Sequence, residues 1–404
     1  MRIKLKSVLI LLQGYECSKI ALPPLHTKGN QILDHQNQPI HLHCVSWSGA
    51  HTEDYLTYGI EFQPIPKIVD LIDSGGFNCV RFQFSAELVR KNPKVSIDFL
   101  KHNRKLWGMT ALEIHDHIIK EITSRKIMVI LDYHMLDAGW CCSQLDDNGG
   151  WFNSRWSVFS VEQQLIKMVA RHLHDPYVVA VDVRNEIRPR VKAVQWMGRK
   201  IPDFVNIFYP NWGQTKGRDD WALAATRFGN AIHKVNPNLL IIIQGIFVVQ
   251  PKHVWAALKG DKIKGLPQSL RSVSKSPINL QIPNRLVYSS HDYHWHYLFD
   301  WNSPVDYESY RQVAEQNYGY VAETYPFLLG EFGTQHDNDG IHHQHWQFLI
   351  RYIKEKHFHW CVWELAGVER ERRLRVENTY GLLNVNHTAY AYKPMMDILS
   401  EIMF

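Results

Sequence analysis

Eight times along this chain a short apolar run ends in polar residues, and segments with helical periodicity fill the intervals. The runs are Ile40–Trp47, Asn78–Phe84, Ile127–His134, Val178–Glu186, Leu239–Gly245, Leu286–Tyr293, Phe327–Gly333 and Trp360–Glu364. Near-continuous apolar runs of this length suit parallel strands buried on both faces. Between them, Pro66–Ser74, Ala111–Arg125, Val161–His174, Asp220–Val235, Glu308–Glu323 and Ile341–Lys356 repeat apolar residues at helical spacing. Asp219-Asp220 opens one of these and Asn236-Pro237 closes it. Strand alternating with helix predicts an α/β fold, a single (β/α)8 TIM barrel with elongated βα loops. A doubly wound sheet is the alternative, but no Gly-rich fingerprint follows the first strand. Gly29-Asn30 and Asn37-Gln38-Pro39 carry turn chemistry and predict a short N-terminal hairpin closing the bottom of the barrel.

The length of 404 residues allows one large barrel, and no Pro/Ser linker divides it. The N-terminus sets Met1-Arg2-Ile3-Lys4-Leu5-Lys6 before the apolar Val8–Leu12, the pattern of an export signal. Residues 1–22 are therefore expected to be a targeting segment, residues 23–404 the barrel domain, and the protein secreted. No later run is long enough to span a membrane. A net charge of +5 is small for this length, and the basic clusters Arg188–Lys200 and Arg370–Arg375 are interrupted, which argues against a nucleic-acid partner. Cys44, Cys79 and Cys361 fall in strand-like runs and are expected as buried thiols. Cys141-Cys142 falls in a loop without the spaced partners of a zinc site, and its redox state stays open. The protein is expected to be a monomer without metal or cofactor.

In a barrel the C-terminal strand ends converge on one rim, and active sites form there. Glu186 ends strand four and Glu331, in "FLLGEFGT", ends strand seven. These strands face each other across a ring of eight. Two opposed carboxyls suit glycoside hydrolysis: one protonates the leaving oxygen while the other, ionised, attacks the anomeric carbon, and retention needs them roughly 5 Å apart. Burial and mutual repulsion should raise one of the two pKa values. Arg81 is expected to end strand two and to hold Glu331 ionised. Asn185, His134, His291, Tyr293 and Trp363 are expected around the same rim. Fourteen Trp, several in polar loop-like surroundings (Trp140, Trp151, Trp156, Trp212, Trp295 and Trp301), suit a ligand with apolar faces and hydroxyl edges, and sugars are the commonest such ligand. Trp47, Trp140, Trp212 and Trp295 are the candidate cleft aromatics.

Asn185-Glu186 after an apolar strand, Glu331 in "GEFG", Arg81 in "NCVRFQFS", His134 in "LDYH", the "HDYH" segment and Trp363 together resemble glycoside hydrolase family 5, the cellulase A type of clan A. The similarity runs from about residue 30 to about residue 400. The resemblance implies a retaining hydrolase with Glu186 as acid/base and Glu331 as nucleophile. It also implies that Arg81, His134, Asn185, His291, Tyr293 and Trp363 form the catalytic-subsite shell. The loop "AGWCCSQLDDNGGWF" is similar to one in the plant-like cellulase branch. One departure is Ile187, where the family often has Pro after the Asn-Glu pair. The expected activity is endo-β-1,4-glucanase on β-glucan. The rivals are β-mannanase, exo-β-glucanase and a glycolipid-directed β-glycosidase. A non-catalytic carbohydrate-binding barrel is the alternative from another class, but it would be expected to lose a glutamate or Arg81. The stretch Arg190–Gly217, with Trp196, Phe204, Phe208, Tyr209 and Trp212, is expected to wall the cleft, the alternative being a structural flap with its own small core. "HDNDGIHHQH" and "LDDNGG" imitate calcium loops, but the first lacks the closing Glu.

Overall fold

The computed structural model describes residues 21–142, 146–196, 199–247, 268–297, 304–336, 340–371 and 374–404. The targeting segment expected over residues 1–22 therefore lies almost wholly outside the described residues, as do Cys17, Trp301 and part of "HDNDGIHHQH".

Eight parallel strands close into a barrel: His43–Trp47, Cys79–Ser85, Met128–Met135, Val178–Asp182, Leu240–Gln244, Leu286–Asp292, Phe327–Phe332 and His359–Val362. Each coincides with one of the eight apolar runs. The last pairs with the first through Trp360↔His43, Cys361↔Cys44 and Val362↔Val45, which closes the ring. The strands are buried along nearly their whole lengths because side chains point alternately into the barrel and outward against helices. The packed outer helices include Ile65–Ser74, Ala111–Ser124, Val158–Arg171, Trp221–His233, Tyr307–Asn317 and Gly340–Lys356.

Local chemistry sets the helix ends. Thr110 and Glu113 form a reciprocal capping box, and Asp220 accepts the backbone N–H groups of Ala222 and Leu223. The segment expected as one helix over Glu308–Glu323 instead stops at Asn317 and resumes as a 3-10 turn, Gly319–Glu323. Between them Tyr318 leaves helical geometry and turns its hydroxyl onto the buried Asp292.

The N-terminal hairpin pairs His26–Lys28 with Gln31–Leu33 around Gly29, whose φ of 59° suits a residue without Cβ. Its Leu25 and Ile32, with Ile40 and Leu42, form one apolar cluster with Met128, Ile242, Leu328 and the three buried cysteines. This plug closes the bottom of the barrel, as expected. Elements that were not expected include the short helices Ala86–Lys91 and Lys393–Ser400, and the hairpin Val368–Glu371/Leu374–Glu377. The stretch expected as a cleft-walling loop after strand four is largely a second antiparallel hairpin, Arg190–Trp196 with Arg199–Phe208. The base of that hairpin packs away from the cleft: Phe208 sits against Trp151 and Phe152. The side chains of Trp196 and Phe204 lie outside the described set.

Candidate active site

Strand four ends at Asp182, and the chain then turns sharply across the rim. Glu186 adopts φ +45°, left-handed backbone that a residue with a Cβ enters only at a cost of about 1–2 kcal/mol. Surrounding contacts hold it there. Its N–H donates to Gln244 Oε1 at 2.9 Å, and the neighbouring Arg184 guanidinium is fully buried. Arg184 donates to the backbone carbonyls of His134, Asn148, Gly150 and Asn185, fastening the turn to strand three and to the loop after it. Burial pulls its pKa down to about 10.

Opposite stands Glu331. Arg81 Nη1 donates to its Oε1 at 2.6 Å, and Tyr293 Oη donates to its Oε2 at 3.3 Å. Arg81 is not at the end of strand two, as expected, but inside it, four residues before Ser85, and is wholly buried beneath the rim. That depth lets one guanidinium serve several carboxylates. Its Nη2 lies 2.8 Å from Asp182 and 3.0 Å from Asp132, and also donates to Asn185 Oδ1 at 2.8 Å. Asp132 in turn takes the Nδ1 hydrogen of His134 at 2.7 Å. Burial pushes the Asp132 carboxyl up to about 6 despite the opposing pull of Arg81.

His291 joins the two glutamates. Its Nδ1 lies 2.9 Å from Glu186 and 3.5 Å from Glu331, and a carboxylate oxygen of each glutamate lies within 4.8 Å of the other's and of this nitrogen. Burial alone would lower the His291 pKa, but the two carboxylates outweigh it and raise it. One carboxyl of the pair is raised, as expected, and it is Glu331, the one Arg81 was expected to hold ionised. Burial pushes Glu331 up to about 7 against His291 and Arg81, whereas the His291 hydrogen bond overcomes burial and draws Glu186 down to about 2. The two carboxyls titrate as a coupled pair rather than independently.

Over the glutamates lies a cavity of about 400 Å³. Trp363, Trp140, Trp295 and Tyr380 line it, with Phe247 on another side. Trp363 stacks on His134 at 5.8 Å, and Trp295 stacks on Tyr293 at 4.4 Å. Trp140 and Trp295 are 38% and 45% exposed, so each leaves ring surface open to a ligand. Trp47 and Trp212 are not cleft residues. Both are buried in the core, where their indole N–H groups donate to the carbonyls of Tyr58 and Ser276. Cys141 and Cys142, joined as a vicinal disulfide, line the cavity beside Asn185 and Glu186.

Besides Asp132, Asp182, Tyr380 and Phe247, further residues without a role in the sequence reading complete the site. Arg184 is one. Gln244, at the end of strand five, ties Asp182 to the Glu186 backbone, and it accepts from Gln268 at 2.9 Å. Gln268 then accepts the backbone N–H of His291 at 2.8 Å. Polar side chains closing an apolar run were the available signal for Gln244; Gln268 offered none.

The Arg81 arrangement makes a prediction. Arg81→Met should cost about 3–5 kcal/mol of stability, because Asp132, Asp182 and Glu331 would be left buried without their common cation. Arg81→Lys should recover little, since an ammonium cannot span the carboxylates with a planar fork. Urea unfolding of the two variants checks this, and a loss below ~1 kcal/mol in Arg81→Met would contradict it.

Comparison with known proteins places this geometry. A family model described as Cellulase (glycosyl hydrolase family 5) matches residues 33–368. An endoglucanase of Paenibacillus polymyxa is 29% identical over 399 residues, covering 94% of this chain and 86% of that protein. The major extracellular endoglucanase of Xanthomonas campestris pv. campestris is 27% identical over 333 residues, covering 81% of this chain and 61% of that protein. Among solved structures, the hyperthermophilic endocellulase of the archaeon Pyrococcus horikoshii superposes with a TM-score of 0.75 at 25% identity, over 94% of this chain and 98% of that one.

Proposed function

This chain belongs to the cellulase family, glycosyl hydrolase family 5, and on that premise we propose that it is an endo-β-1,4-glucanase acting with retention of configuration. The observation that carries the reading is the approach of Glu186 and Glu331, carboxylate oxygens within 4.8 Å of each other. Retaining enzymes keep their carboxyls about 5–5.5 Å apart, whereas inverting ones leave about 6.5–9.5 Å for a water molecule.

In this reading Glu331 attacks the anomeric carbon. Arg81 and Tyr293 donate to its two oxygens, and such donors favour the ionised form that attack requires. Glu186 donates its proton to the departing glycosidic oxygen, then removes a proton from the water that releases the sugar. The roles need Glu186 protonated and Glu331 ionised in the substrate complex, whereas burial biases Glu331 upward and His291 draws Glu186 down in the free protein. His291 supplies the means: its Nδ1 stands 0.6 Å closer to Glu186 (2.9 against 3.5 Å). A small ring movement gives its hydrogen bond to Glu331 and leaves Glu186 to hold the proton. Trp363, Trp140 and Trp295 offer flat faces for glucosyl rings. The relatives' names support an endo-acting glucanase, and the extracellular relative supports secretion.

Carboxymethylcellulose and a soluble cello-oligosaccharide test this together. Viscosity should fall steeply per reducing end released, and proton NMR should show the β-anomer first. Preferential cleavage of mannan or laminarin would overturn the substrate, and early α-anomer would overturn the double displacement.

A further inference from the structure

Away from the cleft, a second group of metal-binding side chains sits between two outer helices. His115 and Asp116 are neighbours on the helix Ala111–Ser124, and His172 caps the end of the helix Val158–Arg171. One donor atom from each of the three lies within 4.8 Å of the other two.

Hydrogen bonding sets the tautomer of the His115 ring. His115 Nε2 lies 3.3 Å from the Gln83 carbonyl oxygen. A carbonyl only accepts, so Nε2 carries the hydrogen and Nδ1 presents a lone pair. That Nδ1 is buried and has no hydrogen-bond partner, and neither has His172 Nε2, which faces Asp116 Oδ1 across 3.4 Å. Leaving a buried polar atom unsatisfied costs about 1–3 kcal/mol. Two such nitrogens in a group that also holds the Asp116 carboxylate share a need that a single cation would meet.

We propose that His115, Asp116 and His172 bind a divalent transition-metal ion, Zn2+ in particular. Two imidazoles and a carboxylate are a zinc donor set. Tetrahedral bonds of the usual length place neighbouring donors about 3.3 Å apart, and the His172–Asp116 edge already has that length. The His115 N–H on a backbone carbonyl is the outer contact that metal-bound histidines characteristically make. The Asp116 side chain is 32% exposed, which gives an ion a way in and leaves the fourth position to water. Arg171 is the competitor. Its Nε stands 3.0 Å from both Asp116 oxygens and its Nη2 contacts Oδ2. Zinc binding requires it to release Oδ1 while keeping Oδ2. Gln83 lies on barrel strand two, so an ion here would clamp two outer helices to the strand that carries Arg81. The ligands come from separate helices, so no compact sequence motif marks them.

Chelator-stripped full-length protein should be titrated with ZnCl2 by calorimetry, alongside His172→Gln and Asp116→Asn. The native chain should bind one equivalent more than either variant. Its melting temperature should rise by roughly 3–5 °C at a zinc concentration near 100 times Kd, a rise absent from both variants. Failure to bind would overturn the site. So would equal stoichiometry and equal melting gains in the variants, which would place zinc elsewhere, for instance on the cleft carboxylates, where it would inhibit hydrolysis.

Discussion

Glu331→Gln is expected to lower kcat on cello-oligosaccharides by roughly 10⁴-fold or more, with a melting temperature within a few degrees of the native value. The amide keeps the shape of the carboxyl and removes only its capacity to attack carbon. Folding should tolerate the change because Arg81 retains Asp132 and Asp182. Removing one of two buried acids held within 4.8 Å also relieves their repulsion. The companion variant separates the two roles. Glu186→Ala should slow substrates with poor leaving groups far more than activated aryl glycosides, because a good leaving group departs without a proton. Residual turnover near the native rate in Glu331→Gln would remove the nucleophile assignment. Equal losses on both substrate types in Glu186→Ala would remove the acid. Either result leaves family membership untouched, so the roles are tested separately from the fold.

The barrel was legible because parallel strands buried on both faces write themselves as unbroken apolar runs. Met128–Met135 and Val178–Asp182 are examples, every residue buried. The rim residues were legible for the same reason: once the runs are strands, Glu186, Glu331, His134 and Trp363 come to one end of one closed sheet. What escaped depends on distant partners. Arg184, Gln244 and Gln268 act through backbone groups that only the closed ring brings near. Trp47 and Trp212 sit among polar neighbours in the chain, yet each finds a carbonyl for its N–H and so can be buried. The hairpin Arg190–Trp196/Arg199–Phe208 pairs outside the barrel, and its charged residues hide the alternation of a strand. The opposite pKa shifts of the two glutamates turn on burial and on which of them stands nearer one imidazole (2.9 against 3.5 Å), features no sequence pattern encodes.

Stability should fall steeply as pH drops from about 6.5 to 4, and buried histidines are the cause. Burial lowers His43, His359 and His387 to about 4 and moves His41 in the same direction. Three of them crowd together at the bottom of the barrel: the His41 and His359 rings stand 5.0 Å apart, and His43 stacks near His41 at 6.2 Å. A folded-state pKa below the unfolded value means that the unfolded chain binds more protons between the two values. Stability is therefore full above about 6.5 and lost progressively toward the folded values. A depression of this size is worth roughly 3 kcal/mol per group, against a total of about 5–15 kcal/mol for a typical domain. Asp132 and Glu331, raised to about 6 and about 7, work in the opposite direction and offset part of the loss. His359 isolates the cause. Its Nδ1 accepts the Leu42 backbone N–H at 3.2 Å, so protonation there destroys a hydrogen bond as well as burying a charge. In His359→Gln the amide oxygen can accept the same N–H but cannot titrate. Urea midpoints measured from pH 7.5 to 4.5 should decline in the native protein and decline less in the variant, by roughly 2–3 kcal/mol over that span. Parallel declines would exonerate His359, and a flat native profile would show that the floor histidines are not carrying the acid sensitivity.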